Sequence, residues 1–258
     1  MSLKNKTAVI FGGSGAIGSA AAYALAREGA TVYLAARDQA RLEHVANRIH
    51  AAGGSARLFV FDALNADATL PDVTGIDIVV NATGFMHDQG KRLDALTLSE
   101  FRQGFDPFLA ACFNIAKAVA PRMGGERAGT FITVVAPAAN MAMPGHLGHI
   151  VGCAGTEALT RALAAELGAK NIRVLCLRSH AIADAVQAGS CVGDLFAIKA
   201  QAMGITVEQF LEGAAKSTML NRLPTLEQVA DTIAFLASDA AGAITGTTVN
   251  MTAGATTI

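Results

Sequence analysis

Two side chains with reactive groups, His149 and Cys153, stand four residues apart in the sequence. Residues four apart on a helix share a face and can touch. An imidazole has an ordinary pKa of about 6.5, so its protonated form could give a proton to a carbonyl at neutral pH. A cysteine becomes a nucleophile when a histidine and a helix N-terminus stabilise its thiolate. The pair therefore marks a candidate site for acid catalysis or for covalent catalysis.

Two further interpretations of this pair involve no such catalysis. Cysteine is among the most buried residue types, so both residues could be packing residues whose polar atoms are simply hydrogen-bonded. With His146 and His180 they could instead supply ligands to a metal ion. The stretch straddles a predicted junction between loop and helix, which argues against a shared face for the ligands, and we predict no metal site. The nucleophile interpretation lacks a third residue to orient the histidine.

A glycine-rich turn, Gly12–Gly18, follows the predicted strand Thr7–Phe11 and opens a predicted helix. Gly13, Gly15 and Gly18 give it the spacing GxGxxG. Glycine is needed where the backbone turns tightly and comes close to a pyrophosphate, whose charge then rests on the helix N-terminus. The turn therefore predicts dinucleotide binding. Its predicted cofactor contacts are Gly12, Gly13, Ser14, Gly15, Ile17 and Gly18.

The residues that end the second predicted strand bear on which dinucleotide binds. An acidic residue there would accept a hydrogen bond from a ribose 2′-hydroxyl, but this chain has Ala36 followed by Arg37. Because a guanidinium offers paired donors to a 2′-phosphate, the sequence favours NADP(H) over NAD(H). The alternative is that Arg37 pairs with Asp38 or with a helix carboxylate on the surface.

The elements that would position these residues alternate between strands and helices. Uninterrupted runs of Val, Ile, Leu and Phe are typical of strands buried on both faces. They predict an α/β protein: a single-domain Rossmann fold over residues 1–258, with a doubly wound, seven-stranded parallel sheet and helices on both faces. The predicted strands are Thr7–Phe11, Thr31–Ala36, Arg57–Phe61, Asp77–Val80, Thr130–Val135, Ile172–Leu177 and Thr247–Met251. The predicted helices include Ile17–Glu28, Gln39–Ala52, one opened by a capping box at Thr97 and Glu100, Ile150–Leu167 and Leu226–Ala237.

Residues 183–224 follow the sixth predicted strand and hold no strand pattern of their own. Ligands of doubly wound sheets bind beyond the carboxyl ends of the strands, so this segment is predicted to be a lid on the substrate side of the site. The candidate residues for lining a substrate pocket there are apolar, which fits a small apolar carbonyl or alcohol. They are Met141, Met143, Leu147, Leu195 and Phe196.

Composition excludes several other classes of protein. Hydrophobic residues make up 52% of the 258 positions and charged residues 16%, with a net charge of −1. No broad basic field is therefore present to hold nucleic acid, and no apolar run reaches the length of a membrane span. The four cysteines show no CxxC spacing and the N-terminus no signal-peptide pattern, so we expect a soluble, reduced protein of the cytoplasm.

Several motifs give the chain a resemblance to the short-chain dehydrogenase/reductase family over nearly its whole length. Besides the glycine turn, they are Phe61-Asp62, Val80–Gly84, Glu157–Leu167 and Phe235–Asp239. The resemblance implies that Asp62 contacts adenine and that Asn81–Gly84 lines the adenosine side. The cofactor contacts expected from it are Asp62, Ala63, Asn81, Ala82, Thr83 and Gly84. It also implies a homodimer or homotetramer, formed through the helices that hold Phe108–Met123 and Ile150–Leu167.

The residues that catalyse hydride transfer in this family are all replaced. Relatives use a tyrosine as proton donor, a lysine one helical turn later, a serine and an asparagine. The ungapped match at Glu157–Leu167 places His149 at the tyrosine, Cys153 at the lysine and Ala136 at the serine, with Phe108 at the asparagine. After the sixth strand, Ser179-His180 replaces a Pro-Gly pair, and Asp184 replaces a threonine that meets the nicotinamide carboxamide.

A shift of the alignment cannot restore this chemistry. The only tyrosines are Tyr23 and Tyr33, and no lysine lies between Lys117 and Lys170. Two functions therefore stay open from the sequence. The first is an NADP(H)-binding protein of the family, without the usual mechanism of hydride transfer. The alternative is an NADPH-dependent carbonyl reductase that uses His149 as its proton donor.

Overall fold

The frame of the molecule is one parallel sheet, in a computed structural model that describes residues 2–87, 90–188 and 191–257. Its strand order is β3-β2-β1-β4-β5-β6-β7, and every neighbouring pair is parallel. The order reverses between β1 and β4, which opens a crevice at that edge. The strands are β1 Thr7–Phe11, β2 Thr31–Ala36, β3 Ser55–Val60, β4 Ile78–Asn81, β5 Gly129–Val135, β6 Ile172–Ser179 and β7 Thr247–Met251.

Helices cover both faces of this sheet. They are α1 Ala16–Arg27, α2 Gln39–Ala51, α3 Leu98–Gln103, α4 Asp106–Val119, α5 Leu147–Leu167, α6 Ala183–Gln187, α7 Cys191–Ala202, α8 Val207–Lys216 and α9 Leu226–Ala237. Ile10 of β1 lies in a core shared with α1, α2 and α9, whereas its neighbour Val9 lies in a second core shared with α4. Successive residues of a strand point to opposite faces, so both faces of β1 are buried.

The predicted fold class is confirmed, and most of the predicted elements lie close to their observed positions. Thr7–Phe11, Thr31–Ala36, Leu226–Ala237 and Thr247–Met251 agree at both ends, and the capping box at Thr97 and Glu100 is present. The third strand begins two residues earlier than predicted, at Ser55. The helix predicted to begin at Ile150 begins at Leu147. The sequence prediction missed this start because no capping side chain marks it. His149 therefore lies within α5, on the same helix as Cys153.

The segment predicted to be a lid contains three helices, α6, α7 and α8, and no strand among its described residues. Its start is tied to the body of the protein by Asp184, whose two carboxylate oxygens each lie 3.1 Å from the backbone nitrogen of Leu226 and accept its hydrogen bond. This carboxylate therefore stabilises the N-terminus of α9. No helix in the described part of the chain has both the length and the apolar character needed to cross a membrane.

A buried ion pair fixes α5 to the sheet beneath the candidate site. The guanidinium of Arg178, on β6, donates to both carboxylate oxygens of Glu157, on α5, at 2.8 and 2.9 Å. Their side chains are only 4% and 10% exposed. Since the charges have little water around them, each depends on the other for compensation.

We predict that Glu157→Gln lowers the free energy of unfolding by about 3 kcal/mol, because it leaves the Arg178 guanidinium buried without its carboxylate. Glu212→Gln, which breaks an exposed pair with Lys216 on α8, should leave the stability unchanged and serves as the matched control. The chain has no tryptophan, so urea denaturation should be followed by circular dichroism. Equal effects of the two substitutions would show that the buried pair is not a structural anchor.

Candidate functional site

A large cleft runs across the carboxyl ends of β1, β2, β4, β5 and β6. Its volume is about 1180 Å³, larger than the roughly 300–1,000 Å³ of a usual small-molecule pocket. One end is lined by the glycine turn and the other by residues of α7 and α8. The cleft therefore brings the predicted cofactor residues and the predicted catalytic residues into one site with room for an extended ligand.

The glycine turn packs too closely for any other residue type at two positions. Gly12 has a φ of +75°, and a Cβ atom there would lie 2.5 Å from the carbonyl oxygen of Ala82. A Cβ atom at Gly18 would lie 2.2 Å from the carbonyl oxygen of Gly12. Gly15 caps α1 without a side chain, so the first backbone N–H groups of the helix face the cleft without a capping oxygen. Such a helix start is suited to bind an anionic group.

The predicted contacts in this turn divide into two sets. Gly12, Ser14, Gly15 and Ile17 line the cleft. Gly13 and Gly18 lie behind the turn, where they allow its close approach to β2 and α1, and they do not line the cleft. Their contribution to binding is the shape of the turn.

At the same end of the cleft, Arg37 is exposed and lines the wall just after β2. The alternative pairing with Asp38 is not observed, since that carboxylate accepts a hydrogen bond from the backbone N–H of Arg41 at 3.1 Å and caps α2. Arg37 makes no ion pair with any residue that the structure describes. Its guanidinium is thus available to a ligand.

Sequence reasoning missed a second arginine at this end. Arg41 lines the cleft, and its Nη2 donates to the carbonyl oxygen of Ser14 at 3.2 Å, which places the guanidinium beside the glycine turn. The sequence offered one signal, because Arg41 is a second arginine, in the first turn of α2, only four residues after Arg37. Two guanidinium groups therefore stand near the place where β2 ends.

The residues expected on the adenosine side lie there together. Asp62, Ala63 and the segment 81–84 all line the cleft. The side-chain oxygen of Asn81 accepts hydrogen bonds from the backbone N–H of Thr83 at 3.2 Å and from its hydroxyl at 2.7 Å. These bonds fix the turn that follows β4. Asp62 is fixed in a similar way, by accepting a hydrogen bond from the backbone N–H of Leu64 at 3.0 Å.

His149 and Cys153 do face one another at the far end of the cleft. The sulfur of Cys153 lies 3.7 Å from Nε2 and 3.9 Å from Nδ1 of His149. The ring of His87 stacks on the ring of His149, with centroids 3.7 Å apart and planes within 3°. Phe108 closes a third side, 6.2 Å from the His149 ring. The predicted pair is therefore real, but it is enclosed by other rings.

This enclosure changes the acidity of both groups. Burial, and then the charges of His87, His146 and Lys199, lower the pKa of His149 to about 3. Burial, followed by the negative charge of Glu157, raises the pKa of the Cys153 thiol to about 12. The expectation of an ordinary imidazole pKa is therefore wrong, and so is the expectation of a stabilised thiolate. Both groups are neutral at pH 7.

The metal hypothesis finds no support in the geometry. Across residues 2–87, 90–188 and 191–257, no three His, Cys, Asp or Glu side chains converge on a position that could hold a metal ion. Nδ1 of His146 lies 3.1 Å from the carbonyl oxygen of Pro144. Nδ1 of His180 accepts a hydrogen bond from the backbone N–H of Ala181 at 2.6 Å. Each ring is held by its own neighbouring backbone.

The two other replaced positions, Ala136 and Phe108, also line the cleft. Phe108 packs edge-to-face on Phe85, with ring centroids 5.3 Å apart, and so fills with an aromatic cluster the position that the resemblance assigns to an asparagine. Neither tyrosine of the chain is among the residues that line the cleft. Tyr33 accepts a hydrogen bond from Arg57 on β3 at 3.0 Å, outside the site.

A glycine turn between β1 and α1 and a cleft at the reversal of strand order are the features typical of the dinucleotide-binding α/β fold. A family model described as enoyl-(acyl carrier protein) reductase matches residues 13–256. The chain belongs to the short-chain dehydrogenase/reductase family, which is a family of oxidoreductases.

Its relatives are similar in length and in fold. The 3-oxoacyl-[acyl-carrier-protein] reductase of Staphylococcus epidermidis is 28% identical over 265 residues, covering 97% of this chain and 98% of the relative. A dehydrogenase/reductase from Sinorhizobium meliloti has a TM-score of 0.80 at 27% identity, covering 99% and 97%. The L-sorbose reductase of Gluconobacter frateurii, solved with NADPH and L-sorbose, has a TM-score of 0.84 at 22% identity and covers 100% and 99%, which shows the shared fold.

We predict that Cys153 reacts with iodoacetamide at pH 8 roughly a thousandfold more slowly in the folded protein than in urea. The reason is that a thiol with a pKa of about 12 is almost wholly protonated there, whereas an ordinary thiol of pKa about 8.5 is partly ionised. Peptide mass spectrometry after timed quenching measures the rate at this one cysteine. Fast alkylation of Cys153 in the folded state would instead support the nucleophile interpretation.

Proposed function

We propose that this chain binds NADP(H) in its cleft and does not carry out hydride transfer by the tyrosine–lysine mechanism of its family. One observation carries the second half of the proposal. The resemblance assigns the tyrosine and lysine positions to His149, which is partly buried, and to Cys153, which is buried; the pKa values of about 3 and about 12 leave both neutral at pH 7. The function is then that of a dinucleotide-binding protein whose cofactor serves as a structural ligand or a signal.

The residues of the cleft fit a dinucleotide. The close contacts at Gly12 and Gly18 leave space only for backbone, and the bare start of α1 offers N–H groups to a pyrophosphate. Asp62 and the turn after β4 would hold the adenosine half. Arg37 and Arg41 would hold a 2′-phosphate, which supports NADP(H) over NAD(H). When bound, the nicotinamide of this cofactor can give or accept a hydride.

The missing step is the transfer of a proton to the substrate. With a pKa of about 3, roughly one His149 ring in ten thousand carries a proton at pH 7. Cys153 cannot substitute for the lysine, because a thiol carries no positive charge that would lower the pKa of a neighbouring acid. Ala136 supplies no hydroxyl to orient a carbonyl. The chain therefore lacks the acid, its activator and the orienting group together.

The carbonyl reductase that uses His149 is the second candidate. Its support is the ring of His149, which the resemblance assigns to the proton-donor position and which lines the same cleft as the apolar residues Met141 and Met143. Such an enzyme would need a proton on His149 at working pH. Its rate should then rise as the pH falls toward the pKa of about 3, since the protonated fraction increases in that direction.

Two further features belong to the proposal. Residues 183–224 would act as a lid on the substrate side, which is supported by four residues of α7 and α8 that line the cleft: Leu195, Phe196, Lys199 and Phe210. A homodimer or homotetramer, a cytoplasmic location and a small-molecule substrate stay predictions. The relatives' names indicate reductases of acyl and sugar substrates. In the family, such activities depend on the tyrosine, lysine, serine and asparagine that the resemblance finds replaced in this chain.

We predict that Arg37→Ala weakens NADPH binding about 10- to 100-fold and leaves NADH binding unchanged, because a charge-assisted contact contributes about 1.5–3 kcal/mol. Quenching or enhancement of cofactor fluorescence measures both affinities. Arg27→Ala, at the far end of α1, removes the same charge outside the cleft and should change neither affinity. If the wild type binds NADH as tightly as NADPH, the assignment of NADP(H) is wrong.

We expect no turnover above background when wild type and NADPH are tested against a broad panel of aldehydes and ketones. An active relative that has the family's tyrosine and lysine serves as the positive control, because it should reduce them in the same assay. Loss of NADPH absorbance should be followed from pH 5 to pH 8. Turnover in wild type that disappears in His149→Ala would favour the second candidate. Brisk turnover that persists in His149→Ala would overturn both candidates.

A further inference from the structure

Lys199 is a cation in an unusual position. It lies on α7, lines the cleft, and its Nζ lies 5.1 Å from the centroid of the Phe210 ring. Burial lowers the pKa of this lysine. A partly desolvated ammonium normally has a carboxylate beside it, yet no carboxylate in the described ranges of the chain forms an ion pair with Lys199.

A second unsatisfied group lies at the same end of the cleft. Nδ1 of His180 accepts the N–H of Ala181, so the neutral ring carries its proton on Nε2. Nε2 is buried and has no hydrogen-bond partner among the described residues. A buried donor without an acceptor is costly and uncommon. The His180 ring therefore presents an N–H donor for which no described residue supplies an acceptor.

The two groups belong to one site. Both line the cleft, and the charge of Lys199 lowers the pKa of His180 and of His149, which places the ammonium within electrostatic reach of both rings. The described carboxylates that line the cleft each have a hydrogen-bond or ion-pair partner away from Lys199. Asp38 and Asp62 hold turns at the adenosine end, and Asp106 pairs with Arg102 at 2.7 Å. Among the described residues, this end of the cleft therefore holds a cation and a hydrogen-bond donor but no unpaired carboxylate.

We propose that this end of the cleft binds the carboxylate of a small apolar acid. One carboxylate oxygen would accept a hydrogen bond from Nζ of Lys199 and the other from Nε2 of His180. The hydrocarbon part would lie against apolar side chains that line the same end of the cleft, namely Met141, Met143, Leu195 and Phe196. A single negative charge matches a single ammonium and one neutral donor, whereas a phosphate monoester carries nearly two charges.

The proposal deepens the proposed function, because the acid would lie beside the nicotinamide end of a bound dinucleotide. Carboxylate binding nevertheless depends only on residues of the cleft and can be measured without cofactor. It also refines the expected substrate class, since a neutral carbonyl or alcohol could accept a hydrogen bond from Lys199 or His180 but would bring no negative charge to Lys199.

Isothermal titration with hexanoate, hexanamide and hexyl phosphate tests the proposal on the full chain, with and without NADPH. We expect hexanoate to bind wild type more tightly than hexanamide does. Lys199→Gln should weaken hexanoate at least tenfold and leave hexanamide unchanged, and His180→Ala should weaken hexanoate to a smaller extent. Lys216→Gln, on the exposed side of α8, is the matched control and should change nothing. Circular dichroism confirms that each variant is folded.

Three results would overturn the assignment: equal binding of hexanoate and hexanamide, full hexanoate binding in Lys199→Gln, or tighter binding of hexyl phosphate than of hexanoate. The last would identify the site as one for phosphate. Binding of hexanoate as expected without any binding of NADPH would refute the proposed function and leave this inference standing. Binding of NADPH without a preference for hexanoate over hexanamide would refute this inference and leave the proposed function supported.

Discussion

Burial of both faces of a parallel sheet is the constraint on which the rest of this molecule depends. Each strand must be followed by a crossover that returns to the same edge, so every carboxyl end opens on one side. That is why a glycine turn near residue 12, an arginine near residue 37 and a histidine near residue 180 line a single cleft. The strands supply position, and the segments after them supply the chemistry.

Within this cleft, desolvation decides what the side chains can do. His149 and Cys153 are close enough to interact, and in water each would titrate within a few pH units of neutrality. Enclosed by His87, Phe108 and the start of α5, both are held in their uncharged forms. The same low polarity acts on Lys199, which has no described counter-ion. The cleft thus holds neutral side chains at the start of α5 and a cation on α7.

This chain shares the fold of its relatives, and the resemblance indicates that it differs from them in the side chains at the catalytic positions. The glycine turn, the turn after β4 and the buried pair of Glu157 and Arg178 keep α5 and the strand ends in place. On that frame, the four positions that the resemblance assigns to hydride-transfer chemistry hold an aromatic ring, a methyl group, an imidazole and a thiol. The aromatic cluster of Phe85 and Phe108 fills one of them with apolar volume. Packing of the sheet and helices holds the fold without depending on which side chains occupy these four positions.

The sequence by itself determined the sheet, the glycine turn, the likeness to the family and the absence of a tyrosine–lysine couple, because these depend on local pattern and on residue inventory. It also placed His149 four residues before Cys153. Only the tertiary structure decided their protonation, since pKa values depend on burial and on residues distant in the chain, such as His87 and Lys199. It likewise placed Lys199 and His180, nineteen positions apart in the sequence, in one cleft, a proximity that no spacing in the sequence encodes.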